Sequence, residues 1–287
     1  MDFRPIDQAD LEACADIFYA ADDDLMQKAR LPPTPHNRVA LLRMFGHMQA
    51  TDPARAWLAE HDGRAVGFAM SAQRERLTFL SFLFIRPADQ SRGLGRALLE
   101  RSMAGAEQTG VCVFSIQPIS AALYAKYGMV PRVPMYTMLG RASNPLPELP
   151  AGLSVGPLEV GTAAALDRAV TGFAREQDHA AWQGWGRKPF GLFEGARPVG
   201  YGYAQSSGRL GPVVVQRREL VLPLVAELMR QVEPLEDWMI HVPGAAAETF
   251  TTLLNAGMKL DGPPVVFCSS DETIDHSRYL PSSFALP

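Results

Sequence analysis

The sequence predicts a mixed α/β protein that consists of two domains with a similar order of elements. Helical and strand-like periods of apolar residues alternate along the chain, as is typical of domains in which helices pack on a sheet. The length of 287 residues exceeds the usual size of a single hydrophobic core. Residues 141–152 are rich in proline and small polar residues, which indicates a linker, and the order of elements before them recurs after them.

The first half begins with a short strand and two helices and then changes to the strand period. Leu11, Ile17 and Phe18 have helical spacing, and the sequence His-Asp-Gly-Arg at 61–64 predicts a tight hairpin turn between two strands. Gly128 follows the last helix of this half and is expected to end it. The predicted elements are a strand at 3–6, helices at 8–20 and 38–50, strands at 56–60, 65–71 and 77–85, a helix at 96–108, a strand at 111–116, a helix at 120–127 and a strand at 135–139.

The second half repeats this order with little identity between aligned residues, which predicts a weak internal duplication. Glu-Gly-Ala at 194–196 predicts a hairpin turn, and Gly257 is expected to end a helix as Gly128 does. We therefore expect one domain at 1–143 and a second at 144–287. The predicted elements of the second are a strand at 153–155, a helix at 162–174, strands at 190–193, 198–204 and 210–215, a helix at 220–231, a strand at 238–242, a helix at 245–254 and a strand at 264–268.

Composition and charge are those of an ordinary soluble enzyme and exclude several other classes of protein. A net charge of −4 argues against nucleic-acid binding, and no apolar run is long enough to span a bilayer. The three cysteines lie far apart without a Cys-x-x-Cys pair, so we expect free thiols in a reducing compartment. The N-terminus does not resemble a signal peptide and the histidines lack metal-ligand spacing, so a cytoplasmic protein without a metal site is predicted.

Residues 85–99 carry the strongest functional signal in the sequence. A strand-like run ends at Pro87, a glycine-containing loop follows, and a helix begins directly after it. Free backbone N–H groups at a helix N-terminus bind phosphate, and Gly93 and Gly95 would let the anion approach the backbone. A Rossmann loop would need a third glycine after the first strand, and a Walker loop would need Gly-Lys-Ser/Thr; the segment has neither. We therefore predict a phosphorylated ligand, with a simple tight turn as the alternative.

Two motifs occur close together in residues 81–129. Residues 90–95 read Gln-Ser-Arg-Gly-Leu-Gly, and residues 122–129 read Ala-Leu-Tyr-Ala-Lys-Tyr-Gly-Met. Both motifs and their spacing resemble those of the GNAT superfamily of N-acetyltransferases. The resemblance implies that each domain has a mixed, mostly antiparallel twisted sheet flanked by helices. It also implies an acetyl-CoA-dependent N-acetyltransferase in which the acceptor amine attacks the thioester directly.

The resemblance implies roles for individual residues as well. The strand before the loop is expected to splay from its neighbour and to pair with the pantetheine arm of acetyl-CoA through the backbone of Leu83, Phe84 and Ile85. Tyr124 would protonate the departing thiolate, with a core position as the alternative, and the Gln117 amide would contact the coenzyme. The loop residues that would hold the pyrophosphate are Ser91, Arg92, Gly93, Leu94, Gly95 and Arg96.

One departure from the family pattern concerns the base that takes the amine proton. Some members carry a glutamate on the strand after the loop helix, where this sequence has Cys112, and no carboxylate lies within 77–85. A non-catalytic acyl-CoA-binding sensor or interaction module therefore stays open as an alternative. A water chain could also take the proton, and the side-chain candidates are Asp22, Asp23, Asp24, His36 and Glu75.

The second half lacks the residues that mark the coenzyme site in the first. Residues 216–221 read Gln-Arg-Arg-Glu-Leu-Val without a glycine, and Leu253 stands where the first half has Tyr124. We expect this domain to keep the fold, to lack coenzyme binding and to have a structural or substrate-shaping role. The segment 172–188 would line a cleft or pack as a loop, and the tail at 279–287 would pack on the body or reach the cleft of the first domain.

The predicted partners follow from the same observations. The acceptor is expected to be a small-molecule or peptide amine, and neither nucleic acid nor a membrane is expected to bind. A monomer and a homodimer are both compatible with the sequence, since tandem domains can provide internally the packing that single domains obtain by dimerising.

Overall fold

The computed structural model describes residues 1–272 and 274–286, and it divides into two compact units. Met1–Cys112 and Ile116–Met129 form the first unit, and the second contains Val113–Ser115 and the described chain from Val130 onward. Each unit has a mostly antiparallel sheet flanked by helices, which confirms the predicted fold class. The predicted domains at 1–143 and 144–287 are continuous in sequence. The two compact units are grouped by contacts in space, so each contains more than one segment or a different boundary.

Five strands and four α-helices make up the first unit. The last two residues of its fifth strand, at 113–114, belong to the second unit. They are β1 (Asp2–Pro5), α1 (Leu11–Ala29), α2 (Arg38–Thr51), β2 (Ala56–His61), β3 (Arg64–Arg74), β4 (Leu77–Ile85), α3 (Leu94–Ser102), β5 (Gln108–Phe114) and α4 (Pro118–Lys126). The strand order is β1-β2-β3-β4-β5, with β4 and β5 parallel and the other neighbours antiparallel. The predicted hairpin between β2 and β3 is confirmed: Asp62 and Gly63 have φ angles of 51° and 73°, as this type of turn requires.

The helices pack on the first sheet through two apolar groups of residues. Phe45 of α2 contacts Phe68 and Phe82, with ring centroids 5.2 and 4.9 Å apart, and Phe18 of α1 lies 4.7 Å from Phe84. The helix α3 buries its apolar side in a cluster that consists of Ala59, Val66, Ala69, Ile85, Leu94 and Leu98. Edge-to-face aromatic pairs add to the free energy of apolar burial, so these contacts fix α1 and α2 over β3 and β4.

The second unit repeats the element order of the first. Its elements are β6 (Val130–Gly140), β7 (Leu153–Gly156), α5 (Val160–Thr171), α6 (Glu176–Gly184), β8 (Lys188–Glu194), β9 (Arg197–Ala204), β10 (Arg209–Val215), α7 (Val221–Gln231), β11 (Trp238–Pro243), α8 (Ala247–Asn255), β12 (Lys259–Ser269) and β13 (Tyr279–Leu280). The strand order is β12-β6-β11-β10-β9-β8-β7, and β13 pairs with β10. The series from α5 to β12 matches the series from α1 to β6 element by element.

The strand β6 belongs to the first half of the sequence and yet lies inside the sheet of the second unit. Met138 is the register partner of Ile240 in β11 and of Leu260 in β12. Both pairs are antiparallel, so β6 has hydrogen-bonded neighbours on its two edges. The boundary between the compact units therefore precedes β6 rather than following it.

Several predicted elements differ from the observed ones, some of them for local reasons. The helix α1 continues nine residues past 20, because Asp24 and Lys28 form an i,i+4 ion pair of 2.7 Å and the helix ends only at Arg30, whose φ is 58°. The helix predicted at 96–108 is Leu94–Ser102, and the next strand begins at Gln108 instead of 111. Gly105, with a φ of 69°, lies in the turn between them. The helix α6 was not predicted.

The segment 172–188 therefore contains a buried helix in addition to loops. Trp182 of α6 is fully buried, and Trp185 packs against the same core cluster. Trp182 is therefore not available to an exposed interaction surface. Tyr201 and Tyr203 of β9 are also buried and belong to the same core cluster.

A buried polar network connects α5 and α6 with the sheet of the second unit. Asp167 and Arg175 form an ion pair of 3.0 Å in which neither side chain is exposed. His179 Nε2 lies 2.8 Å from Asp167 Oδ2, and the Tyr201 hydroxyl donates a hydrogen bond to the same carboxylate. Arg175 in turn donates to the Tyr279 hydroxyl at 2.8 Å. Burial alone would raise the pKa of Asp167, but the nearby Arg175 and His179 outweigh it and lower the pKa.

Replacing Asp167 by asparagine should destabilise the chain by about 3 kcal/mol, because it leaves the buried Arg175 guanidinium without a counter-charge. The free energy of unfolding in urea measures this. Folding lowers the pKa of Asp167, so in the wild type this carboxylate contributes to the free energy of unfolding above its unfolded pKa of about 3.9. That contribution is lost as the pH falls from there toward the lower folded pKa, and the asparagine variant should not show this loss. The control is Glu107→Gln, which removes an exposed ion pair with Arg76 and should change stability by less than about 1 kcal/mol. Equal effects of the two variants would contradict the assigned role of the network.

Candidate functional site

The strands β4 and β5 separate partway along the first sheet. Among the described residues they pair only from Leu77–Leu80 to Gln108–Val111. Directly beyond this point the register of β4 on β3 shifts, because Leu80 pairs with Ser71 and Phe82 with Met70, which leaves Ser81 as a bulge. The predicted splay of the strand before the loop is therefore present, and its end has a sheet partner on the β3 side.

The backbone groups of the last residues of β4 point in alternating directions. Ile85 is the register partner of Gly67, and the Arg86 N–H donates to the Val66 carbonyl at 2.8 Å. Ile85 and Gly67 are thus a non-hydrogen-bonded pair, so Ile85 and Leu83 direct their N–H and C=O groups away from β3. Phe84 directs its backbone toward β3. Of the three predicted strand residues, only Leu83 and Ile85 offer backbone groups at the open edge.

The loop after β4 leads into a helix whose N-terminus is open. Gly93 is the N-cap of α3 with a φ of 79°, and no side chain caps the helix there. A Cβ atom added at Gly93 or at Gly95 would meet no other atom within 4 Å. The first N–H groups of α3 have no partner within the helix, so they face accessible space that an anion could occupy.

Side chains hold this loop in position and place positive charge around it. The buried Asp89 carboxylate accepts from Arg64 at 3.1 Å and from Arg92 at 3.4 Å. The Gln90 side chain donates to the Ile85 carbonyl at 3.1 Å and thereby ties the loop to the end of β4. Arg96 is 70% exposed. Sequence reasoning missed the role of Asp89; its position among arginines in the loop was the available signal.

Two tyrosines with different surroundings lie at the end of α4, Tyr124 within the helix and Tyr127 at its C-cap. Tyr124 is the buried side chain of this helix, with 6% exposure, whereas the Tyr127 hydroxyl donates to the exposed Glu100 at 2.5 Å. Tyr127 and then Arg96 lower the pKa of the Glu100 carboxyl by hydrogen bonding to it. Gln117 stands at the N-cap of α4, half-buried, and its side chain makes no capping bond.

The five candidates for the proton acceptor do not lie together. Glu75 is in the turn before β4, at the opposite end of that strand from Leu83 and Ile85. Asp24 is bound to Lys28. Asp22, Asp23 and His36 lie at the end of α1 and in the connection to α2; burial raises the pKa of the Asp22 carboxyl.

In the second unit, the edge equivalent to the open edge of β4 is covered by the tail. Val215 of β10 pairs with Gly200, and Gln216 donates to Val199, which is the pattern seen at Ile85 and Arg86. The outward Val215 N–H donates to the Arg278 carbonyl at 3.0 Å, and β13 continues this pairing along β10. The predicted tail therefore packs on its own unit; its last residue, Pro287, lies outside the described residues.

The loop that follows β10 also differs from its counterpart. Arg217 is bound to Glu194 at 3.1 Å and to Glu219 at 3.3 Å, and residues 216–221 contain no glycine. Leu253 is fully buried in the core of the second unit, at the position that corresponds to Tyr124.

Residues 20–129 match the model of the Acetyltransferase (GNAT) family. The chain therefore contains a GNAT acetyltransferase domain in its first half, which confirms the resemblance. No curated protein matches the chain in sequence.

Three solved structures resemble nearly the whole chain, and at these identities they show the fold alone. A candidate acetyltransferase from Pyrococcus horikoshii has a TM-score of 0.77 and 14% identity, with 100% of this chain and 95% of that chain covered. A GCN5-related N-acetyltransferase from Sphaerobacter thermophilus has a TM-score of 0.61 and 18% identity, covering 96% and 98%. A tandem GNAT protein from the clavulanic acid biosynthesis pathway has a TM-score of 0.55 and 17% identity, covering 93% and 97%. The fold thus extends to both halves of the chain.

Within residues 1–272 and 274–286, none of the helices combines the length and the hydropathy that crossing a membrane requires.

Proposed function

We propose that the first unit is an acetyl-CoA-dependent N-acetyltransferase that moves the acetyl group to a primary amine by direct attack on the thioester. The observation that carries this proposal is the open edge of β4 beside the uncapped start of α3. An extended amide chain can pair with the strand edge while a phosphate group binds at the start of the helix. Acetyl-CoA contains both an amide chain and phosphate groups in one molecule.

The residues present fit this coenzyme. The outward N–H and C=O groups of Leu83 and the outward N–H group of Ile85, whose carbonyl already accepts from Gln90, would pair with the pantetheine amides, as an added strand does. The pyrophosphate would bind the N–H groups of the loop at 91–96, where Gly93 and Gly95 leave the backbone accessible. Arg92 and Arg96 would add positive charge from the solvent side. The Gln117 amide completes the proposed coenzyme residues, whereas Phe84, whose backbone faces β3, is not among them.

The chemistry assigned to the chain consists of positioning and one proton transfer. The amine nitrogen forms a bond to the thioester carbonyl carbon, and the carbon–sulfur bond breaks. Tyr124 would donate its hydroxyl proton to the thiolate sulfur; a phenol, with a reference pKa of about 10, is protonated at neutral pH. Because β4 carries no carboxylate, the proton released by the amine would pass to water.

The second unit is assigned no coenzyme. The tail already pairs with the edge of β10, the loop at 216–221 has no glycine, and Leu253 cannot donate a proton. These three features support a structural or substrate-shaping role for this unit, and a catalytic site in the first unit only.

The acceptor is a small-molecule or peptide amine in this proposal, and the reaction needs no metal ion. The protein would act in the cytoplasm, as a monomer or a homodimer. The second candidate function is an acyl-CoA-binding sensor without catalysis, which is favoured by Cys112 at the place where some family members have a glutamate.

Titration calorimetry with acetyl-CoA and thiol release in the presence of amines test these assignments together. The proposal predicts one acetyl-CoA per full chain and thiol release with at least one amine class. Binding without thiol release from small amines, polyamines, aminoglycosides or peptide N-termini would favour the sensor. Absence of binding would contradict both.

The substitution Gly95→Leu should block coenzyme binding without destabilising the fold. Glycine is a poor helix former and an added Cβ atom meets no other atom within 4 Å, so the melting temperature should stay equal or rise. The acetyl-CoA affinity should fall on the order of tenfold or more, because the side chain covers the exposed N–H groups. The matched control is Gly161→Leu near the start of α5, where a Cβ atom also meets nothing and affinity should not change. Unaltered affinity in the Gly95 variant would remove the α3 N-terminus from the site.

The substitution Tyr124→Phe should lower kcat about 100-fold, which is the size of a typical general-acid contribution. The Kd for acetyl-CoA should stay nearly unchanged. Steady-state thiol release and calorimetry measure the two quantities. Tyr127→Phe is the control for kcat, since it removes from the same region an exposed hydroxyl that bonds to Glu100 and Arg96. A normal kcat for Tyr124→Phe would exclude this residue as the acid.

A further inference from the structure

Two arginines of the second unit lie near each other and have no carboxylate partner among the described residues. Arg187 directly precedes β8 and is only 7% exposed, and its Nη1 donates to the Gly211 carbonyl at 2.8 Å. Arg209 is the first residue of β10 and is half-buried, and its Nη1 donates to His241 Nε2 at 2.9 Å. The positive charge of Arg209 acts on Arg187 and lowers its pKa. The two guanidiniums thus form a local concentration of positive charge.

The other buried arginines of the described chain each bind a buried aspartate. Arg74 forms an ion pair of 2.9 Å with Asp52. Arg175 forms one of 3.0 Å with Asp167. Taking a guanidinium out of water is costly, and a counter-charge with good geometry offsets that cost. Arg187 has a single backbone carbonyl in place of such a carboxylate.

The neighbouring side chains do not supply the missing negative charge. The Arg209 guanidinium can only donate, so His241 Nε2 accepts, and Nδ1 carries the proton that is donated to Thr137 Oγ1 at 3.1 Å. His241 is therefore neutral, and burial, followed by Arg209 and Arg187, lowers its pKa well below the usual value. Burial also raises the pKa of the Tyr203 hydroxyl to about 12, so this group is neutral as well.

Both arginines keep a positive charge or donors that a ligand can reach. Burial, and then Arg209, lowers the pKa of Arg187 to about 9 against a smaller opposite effect of Tyr203, so Arg187 is still protonated at neutral pH. A guanidinium has five N–H donors, and each of these two uses one nitrogen for its hydrogen bonds. In the part of the chain that the structure describes, the buried side-chain atoms without a partner include no nitrogen of either arginine. Their remaining N–H groups therefore face solvent.

The two arginines lie close to the point where the parallel strands of the second unit separate. The strands β10 and β11 last pair at Leu210 and Ile240, and His241 is the next residue of β11. The loop at 216–221, which corresponds to the proposed pyrophosphate loop of the first unit, begins about 20 Å from Arg209 at the other end of β10. The arginine pair is thus not the counterpart of the coenzyme's phosphate site.

We propose that Arg187 and Arg209 form a binding site for an oxyanionic ligand, a small molecule that carries a carboxylate or a phosphate group. The guanidiniums would donate several hydrogen bonds to its oxygens, and charge-assisted bonds of this kind are among the strongest in proteins. The ligand would supply the counter-charge that the described residues lack. The second unit then binds a ligand of its own, which goes beyond the structural or substrate-shaping role proposed for it and does not depend on the acetyltransferase function.

The melting temperature of the full chain tests this site, with inorganic phosphate and acetate as probes against chloride at equal ionic strength. Millimolar amounts of at least one probe should raise the melting temperature of the wild type, and the larger shift identifies the preferred group. In Arg209→Gln the Kd for that probe should rise about tenfold or more, so most of the shift should be lost. Arg197→Gln is the matched control, because it removes an exposed arginine of the same unit and should keep the shift.

Phosphate also stabilises folded proteins by exclusion from their surface, and it can bind at the loop at 91–96. These contributions are the same in all three proteins, so equal shifts in all of them would overturn the arginine site. A shift that is lost in both variants would overturn it too, because general attraction to positive charge explains that result, as would the absence of any shift in the wild type. Arg209→Gln leaves no opposite charge unpaired and should fold, and Arg187→Gln provides a second variant with the same expected loss.

Discussion

A parallel pair of strands that separates after four residues is the constraint on which the candidate site depends. Every buried N–H and C=O group of a sheet needs a partner, and a strand that loses its neighbour inside a domain must find another. In the first unit, β4 parts from β5 at Leu80 and presents the backbone of Leu83 and Ile85 at a free edge. In the second unit, β10 parts from β11 after Leu210, and the pairing of β13 replaces it. The same strand separation thus leaves an edge available to a ligand in the first unit. In the second unit the hydrogen bonds of that edge are made by the chain itself.

The surrounding residues agree with this difference. Asp89 and Gln90 tie the loop after β4 to the end of the strand, so that the start of α3 and the open edge keep a fixed relation. In the second unit the corresponding edge is held by a buried side chain: Arg175 donates a hydrogen bond to the Tyr279 hydroxyl. This bond holds the tail where β13 pairs with β10. Burying charge is costly, and the network around Asp167 offsets that cost by satisfying each of its members.

The sequence predicted local features well and nonlocal pairing poorly. The strand at 77–85 and the hairpin at 61–64 were correct to the residue, because an unbroken apolar run and an Asp-Gly turn are strong local signals. The helix α6 was missed, since its polar sequence around Trp182 has little amphipathic period even though this tryptophan is fully buried. The neighbours of β6 and the docking of the tail depend on contacts more than 60 residues away, which no local pattern encodes. The predicted roles of Tyr124 and of the loop residues remain predictions, whereas the backbone direction of Phe84 became evident only from the register of β4 on β3.

The central claim is that acetyl-CoA pairs with the free edge of β4 and with no equivalent edge in the second unit. Hydrogen–deuterium exchange of the full chain with and without acetyl-CoA measures this directly, because the outward amides at 83 and 85 exchange with solvent unless a ligand accepts their hydrogen bonds. The account predicts that acetyl-CoA slows exchange in the peptides that contain these residues and those of the loop at 91–96, and leaves the already protected amide of Val215 unchanged. Unchanged exchange at the end of β4 with saturating coenzyme, or new protection confined to β10, would contradict it.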